Sequence, residues 1–249
     1  MAVLFSQIAN GKTVEVRSAG STRRLYVDGV LHTQFNPRAP LTGDVWDPLC
    51  LSALFAPKGQ IRRVLLLGLG GGAAVHLLRR YLNVEEIVAV ELDGLKIKLA
   101  RRFFEIDAPN VTLIRADARG WVEDYDGPPF DFVIDDLFGE EDGEPQRAIP
   151  VDRRWAAALC RLLAKRGLLT VNFVGRAELE ASDLFRNQRY RRRFASAHRY
   201  ALPQAENAVT LFSNTTLSRR SYRRLLRCQP GLTTVRARSL MRFRIHREW

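Results

Sequence analysis

The sequence predicts an α/β protein built on a mostly parallel β-sheet. Three observations carry that expectation. Residues 64–72 read Val-Leu-Leu-Leu-Gly-Leu-Gly-Gly-Gly, a buried strand running into a turn that glycine-rich sequence makes easily. From Ile61 onward, short apolar runs alternate with stretches of helical length, the spacing that returns each strand parallel to the one before. Glycines or acids fall at, or just after, the ends of the first four runs, as Gly68–Gly72, Glu91, Asp117 and Asp135-Asp136. Open sheets of this kind bind ligands beyond those strand ends, beside the point where strand order reverses.

The elements follow in order. Thr13–Val16 and Leu25–Val27 read as short antiparallel strands, and Asp28-Gly29 is a tight-turn signal leading into Val30-Leu31. Pro37, Pro40 and Gly43 mark a loop, and Asp44 is a candidate cap for a helix through Leu54. Pro57-Lys58-Gly59 then breaks the chain, dividing a small β-rich part with its linking helix (1–58) from an α/β part (59–249). In the second part, strands are expected at Val64–Leu67, Ile87–Glu91, Val111–Ile114, Phe132–Asp135 and Leu168–Val174. Helices are expected at Ala73–Tyr81, Gly94–Phe104, Arg119–Asp124 and Arg153–Leu163.

Composition narrows the class. The 249 residues, 46% of them hydrophobic, suffice for a sizeable globular core. The longest apolar stretch, Val64–Leu78, is flanked by arginines and broken by glycines, too short to span a membrane. The first residues lack a basic leader before an apolar core, and Cys50, Cys160 and Cys228 are odd in number and widely spaced; both fit a cytoplasmic protein with reduced thiols and no zinc site. Of the net charge of +12, the segment from Arg186 onward holds 16 arginines against Glu206 and Glu248, a local excess of +14. Such an end can face nucleic acid or an acidic partner, with Arg189, Arg191–Arg193, Arg219, Arg220, Arg223 and Arg224 forming the surface.

The strand-end residues suggest a nucleoside site. Gly68, Gly70 and Gly72 allow close approach of backbone to ligand, and Glu91, 19 positions beyond Gly72, is placed to accept hydrogen bonds from ribose hydroxyls. Gly68-x-Gly70-x-x-Ala73 also satisfies the nicotinamide-binding pattern. Asp117, before Ala118, can accept from an adenine amine or cap the helix that follows. Asp135 and Asp136 point in roughly opposite directions at a strand end, so one at most faces a ligand, as a base or beside a cationic sulfonium. An acidic run through Glu140, Glu141, Asp142 and Glu144 follows them.

On these residues the chain resembles the spermidine synthase family of polyamine aminopropyltransferases, a branch of the class I S-adenosylmethionine-dependent methyltransferase fold. The likeness runs from about Val14 to Phe212 and is densest between Arg63 and Asp136. Tyr26-Val-Asp-Gly-Val-Leu31 looks like the family's closing hairpin, Val64–Gly72 its glycine loop, and Val90-Glu91-Leu92-Asp93 its ribose-holding strand end. Ala116-Asp117-Ala118 looks like the adenine-side segment, and Phe130–Asp136 resembles the stretch ending in the Asp that takes the amine's proton. The resemblance implies a Rossmann-like sheet behind a small β-hairpin domain, a donor that is S-adenosylmethionine or its decarboxylated form, no metal, an amine acceptor, and a possible homodimer. It assigns Gly68, Gly70, Gly72, Glu91, Asp117 and Ala118 to the donor and Asp136 to catalysis, with Asp135 as the fallback.

Departures cluster on the substrate side. The family's aminopropyl-gripping Asp is here Gly71, the Gln after its hairpin is His32, its Tyr-His-Glu cluster is Val45-Trp46-Asp47, and its second Asp is Gly139. The other readings are therefore methyl transfer from S-adenosylmethionine, a nicotinamide-dependent dehydrogenase, and a non-catalytic fold that binds a polyanion through its arginine-rich end.

Overall fold

The computed structural model of the chain describes all residues except 142, 143 and 217; the side chains of 140, 141, 144, 145 and 221 also fall outside the description. The side chains of the acidic run after Asp136 (Glu140, Glu141, Asp142 and Glu144) thus lie outside the described residues.

Four strands open the chain: β1 (Ala2–Ala9), β2 (Lys12–Ala19), β3 (Thr22–Val27) and β4 (Val30–Phe35) pair antiparallel in chain order. Asp28 and Gly29, with φ of 45° and 83°, form the two-residue hairpin turn that sets Val27 opposite Val30. One face of this sheet buries Val14, Val16, Leu25, Val27 and Phe35 against Leu99 and Phe104 of a later helix. Strand β1 has no counterpart among the strands expected from sequence. Its side chains are mostly exposed and do not alternate, so nothing in its periodicity marks it.

Helix α1 (Trp46–Leu51) continues as a 3₁₀ turn, Ser52–Phe55, and its buried face joins the core of the larger sheet. Asp44 does not cap the first turn through its side chain: Oδ1 accepts from Val45 N at 2.7 Å, one residue on. Asp47 fastens the entry instead, accepting from Thr42 N (2.9 Å), Thr42 Oγ1 (2.9 Å) and Gly43 N (2.7 Å).

The second sheet begins with β5 (Arg63–Leu67), α2 (Ala73–Tyr81), β6 (Glu86–Glu91), α3 (Gly94–Phe104), β7 (Val111–Arg115), α4 (Ala118–Asp124) and β8 (Phe130–Asp135). A small hairpin of β9 (Phe138–Glu141) and β10 (Glu144–Arg147) follows, then α5 (Arg153–Leu162) and β11 (Leu163–Phe173). Beyond these come α6 (Arg176–Ala181), α7 (Asp183–Arg186), α8 (Gln188–Arg193), β12 (Ser196–Leu202), β13 (Ala205–Ser213), α9 (Arg219–Cys228), α10 (Val235–Leu240) and β14 (Arg244–Arg247).

The strand order is β14-β12-β13-β11-β8-β5-β6-β7. Strands β5, β6, β7, β8 and β11 run parallel, and β13 is antiparallel to β11 and β12. The sheet is an α/β Rossmann-like one, mostly parallel, as the sequence predicts.

Alternation along the strands sorts the helices between two faces. Val64 and Leu66 pack with α1, α2, α9 and α10, whereas Leu65 and Leu67 pack with α4, α5 and α8. Chain order reverses between β5, which leads to β6, and β8 on its other side, so the crevice above those two strands is where a ligand belongs.

The turn after β5 depends on that crossing. Gly68 has φ +90°, and a Cβ there would lie 2.2 Å from the Asp136 carbonyl oxygen. Backbone meets backbone, and no side-chain movement relieves the contact. Gly68→Ala should therefore lower stability by more than about 1 kcal/mol through strain and clash together. Thermal unfolding followed by circular dichroism checks this; an unchanged melting temperature would contradict it.

Candidate active site

A cavity of about 610 Å³ opens at the carboxyl ends of β5, β6, β7 and β8. Its wall includes Gly68 and Gly70, Glu91 and Asp93, Asp117 and Ala118, and Asp136. The residues expected to bind the donor thus meet in one space, apart from Gly72, which does not line it. Gly72 starts α2 in the left-handed region (φ +94°), where a Cβ would strike Ile106.

Glu91 ties two strand ends together. Its Oε2 accepts from Leu69 N (3.1 Å) and Gly70 N (3.2 Å), and Oε1 accepts from Asp93 N (3.0 Å). Each carboxylate oxygen takes about two hydrogen bonds, so Oε1 retains capacity for a ribose hydroxyl. The glycine-loop amides that would cradle a pyrophosphate are spent on this carboxylate. Farther along, Thr33 Oγ1 reaches Ala73 N at 3.4 Å, plugging the start of α2 from the N-terminal sheet. A negative side chain on the loop and a plugged helix start both disfavour a phosphate. The arrangement speaks against the dehydrogenase reading and suits a neutral or cationic ligand.

Asp117 caps α4, accepting from Arg119 N (2.9 Å) and Gly120 N (3.1 Å). Both bonds fall on Oδ1; Oδ2 accepts none among the described residues, so capping and ligand binding are compatible.

The neighbouring acids of β8 part company. Asp135 is fully buried, and its Oδ2 accepts from Arg147 Nη2 (2.8 Å) and Trp155 Nε1 (2.9 Å). Arg147, itself 2% exposed, also donates to the Asn172 and Ile149 carbonyls. This carboxylate does not line the cavity, and its place as a fallback base falls away. Asp136 faces the cavity and accepts from Asn172 Nδ2 at 2.8 Å. Burial pushes its carboxyl up to about 6, against the pull of the Asn172 hydrogen bond. Asn207 Nδ2 donates to Asn172 Oδ1 at 3.1 Å, fixing the amide that presents its NH₂ to Asp136. Sequence reasoning singles out neither asparagine; Asn172 lies one residue before the end of β11, the one signal that could find it.

The substrate side holds His32, Trp46 and Gly139 in the cavity wall with Asp44 and Lys96. Burial, with Lys96 and Lys12 nearby, lowers the His32 imidazole to about 3, so it is neutral. Lys96 Nζ lies 3.5 Å from His32 Nδ1 and has no ion-pair partner among the described residues. Gly71 is elsewhere: a Cβ there would stand 2.3 Å from Thr33 Cγ2, so an acid at this position has no room. Asp47, in the first turn of α1, binds the preceding loop at Thr42 and Gly43 and does not line the cavity. The cavity wall still carries five carboxylates (Asp44, Glu91, Asp93, Asp117, Asp136) against two cations (Lys96, Arg119), an acidic balance inside a basic protein.

The arginine-rich end does not form one surface. Tyr190 anchors α8, with Arg189 and Arg191–Arg193, in the core on the α5 face of the sheet, while Tyr222 and Leu226 anchor α9 on the opposite face.

Comparison with known proteins agrees with this layout. A spermine/spermidine synthase domain matches residues 49–209. A polyamine aminopropyltransferase from Mycobacterium tuberculosis is 32% identical over 166 residues, a match that spans 64% of this chain and only 30% of that protein's length. Among solved structures, a probable spermidine synthase from Corynebacterium glutamicum has a TM-score of 0.70 at 18% identity, covering 92% of this chain and 88% of that one. Human methyltransferase-like protein 13, solved with SAH, has a TM-score of 0.54 at 16% identity over 78% of this chain and 86% of its own. At such identities the structures speak for the fold, a class I methyltransferase-type sheet. With the synthase domain matched across most of its length, the chain belongs to the spermine/spermidine synthase family.

Proposed function

We propose that this chain is a transferase that takes an alkyl group from an S-adenosyl sulfonium nucleoside, in the first instance an aminopropyl group from decarboxylated S-adenosylmethionine, and places it on an amine. The observation that carries the reading is Asp136: a half-buried carboxylate that lines an acidic cavity together with the ribose-side Glu91.

In this reading Gly68, Gly70 and Glu91 hold the sugar end, and Asp117 and Ala118 the base. The sulfonium supplies the leaving group. The acceptor nitrogen forms a bond to the carbon next to sulfur as that C–S bond breaks, and the bonding pair leaves on sulfur as a thioether. The protein's part is position and a base. Asp136 takes the proton that the nitrogen sheds, and Asn172 with Asn207 keeps its oxygen directed.

A second reading, methyl transfer from intact S-adenosylmethionine, draws on two features of this chain. Thr33 fills the space where an acid at position 71 would stand, and Lys96 offers an ammonium that has no ion-pair partner among the described residues and suits a carboxylate-bearing tail. Calorimetric titration with S-adenosylmethionine, its decarboxylated form and methylthioadenosine separates the two. The aminopropyl reading expects the decarboxylated donor to bind more tightly; preference for the carboxylated one would replace it. Lys96→Met should weaken the carboxylated donor selectively.

Asp136→Asn should lower kcat by about 10²–10⁴-fold while leaving donor affinity within a few-fold, because it removes the base and keeps the shape. In the unaltered protein, kcat/KM should rise with pH through about 6 as Asp136 ionises. A profile flat between pH 5 and 8 would argue against Asp136 as the base.

The same substitution has a stability signature of opposite sense. With its native carboxyl raised from 3.8 to about 6, the folded chain holds a proton that the unfolded chain releases. Its contribution to stability is therefore largest below pH 4 and lost as pH rises through 6. At pH 8 Asp136→Asn should be more stable than the unaltered protein, by up to about 2–3 kcal/mol, in urea unfolding. At pH 4 the difference should shrink.

A further inference from the structure

The outer face of α9 lies apart from the cavity and has no part in the chemistry above. We infer that α9, with β14 beside it and the end of α2, forms a second binding surface for the phosphate backbone of a nucleic acid.

The helix is docked firmly. Tyr222 stacks on Phe55 (ring centroids 4.1 Å apart, 13° between planes) and donates to the Leu51 carbonyl at 2.9 Å. Leu226 and Leu232 are buried in the same core. What remains outward is Arg220, Arg223, Arg224 and Arg227, all exposed and without an acidic partner among the described residues. Their three- and four-residue spacing sets neighbouring side chains about 5–6 Å apart along the helix.

The charge continues past both ends. At the start, Arg219 Nη1 donates to the Ile245 carbonyl (3.1 Å), which brings exposed Arg244 and Arg247 of β14 alongside. At the other end, Gln229 Nε2 donates to the Tyr81 carbonyl (3.0 Å), and Gly231 adjoins the Arg80 guanidinium, so Arg79 and Arg80 extend the row. Glu248, next in sequence to Arg247 of β14, is paired with Arg199 at 2.9 Å.

A row of cations without interleaved acids complements a row of anions. Folded protein surfaces mix signs, whereas a nucleic-acid strand repeats its phosphates continuously, and arginine's fork matches phosphate oxygens bidentately. An anionic membrane fits less well. Interfacial helices insert an apolar face, and here that face, Tyr222 and Leu226, is already buried in the protein. The outward face of α9 carries no aromatic among its described side chains, so binding should read phosphates and not bases.

Fluorescence anisotropy with a labelled 20-base-pair DNA duplex and with an RNA strand of equal length tests this on the full chain. Two variants each remove four exposed arginines: Arg220, Arg223, Arg224 and Arg227→Gln on α9, and Arg153, Arg186, Arg189 and Arg192→Gln on the opposite face of the sheet. Expected is binding at about 50 mM salt that weakens by 10²-fold or more at about 200 mM. The α9 variant should flatten the plot of log affinity against log salt by about 3–4 units, with the opposite-face variant close to the unaltered chain. The proposal is overturned by no binding at low salt, by equal losses in both variants, by equal competition from polyglutamate per unit charge, or by α9-dependent binding to phosphatidylserine vesicles tighter than to either nucleic acid. Thermal melting of both variants verifies folding, and because every replaced side chain is exposed, little change is expected there.

Discussion

The site rests on the carboxylate of Glu91 reaching across from the end of β6 to the amides of Leu69 and Gly70 after β5. Those three bonds, counting Asp93 N, make one wall out of two strand ends. They also reverse the usual electrostatics of a glycine-rich turn. Unsatisfied loop amides and an open helix start attract anions; here a carboxylate consumes the first and Thr33 plugs the second. A loop that reads in sequence as phosphate-binding becomes one that tolerates positive charge above it. That is the electrostatic condition a sulfonium ligand needs, and it follows from one glutamate placed where the two strand ends can share it.

The β8 end shows how strand geometry divides labour between adjacent residues. Asp135 and Asp136 differ by one position and so point to opposite faces of the sheet. Asp135 turns into the interior, where Arg147 and Trp155 compensate its charge. Asp136 turns into the cavity, where desolvation raises its carboxyl to about 6 against the lowering pull of its side-chain donor, Asn172. One acid is tied to an arginine and a tryptophan for structure; the other lines the cavity with a raised carboxyl, the state in which a carboxylate can take up and release a proton near neutral pH. The N-terminal sheet closes the same space by supplying Val30, Leu31 and His32 of β4, held against α3 by Phe35, Leu99 and Phe104.

Much of the fold was legible from local pattern. The strands at Val64–Leu67 and Ile87–Glu91 and the helices at Ala73–Tyr81 and Gly94–Phe104 fall where periodicity places them, because each is a continuous apolar run with clear punctuation. Strands β1, β12, β13 and β14 were not assigned. β1 leaves most of its side chains exposed, and β13 is buried without interruption from Ala208 to Ser213, so neither shows the alternation of a half-buried strand. The arginines themselves misled: adjacency in sequence suggested one surface, while burial of Tyr190 and Tyr222 in different cores sends their neighbours to opposite faces of the sheet.

The sequence by itself determined the mostly parallel sheet and the positions of Glu91, Asp117 and Asp136 at, or just after, strand ends. These follow from short-range periodicity, which two or three turns of chain suffice to express. Only the tertiary structure decided what each of those groups touches. Whether Glu91 spends its oxygens on the glycine loop, which of two adjacent aspartates sees the cavity, and why position 71 has no room for an acid all depend on segments far apart in the chain: β5 with β6, β8 with Arg147 and Asn172, and Gly71 with Thr33. Contacts of that kind are set by packing, and no local pattern encodes them.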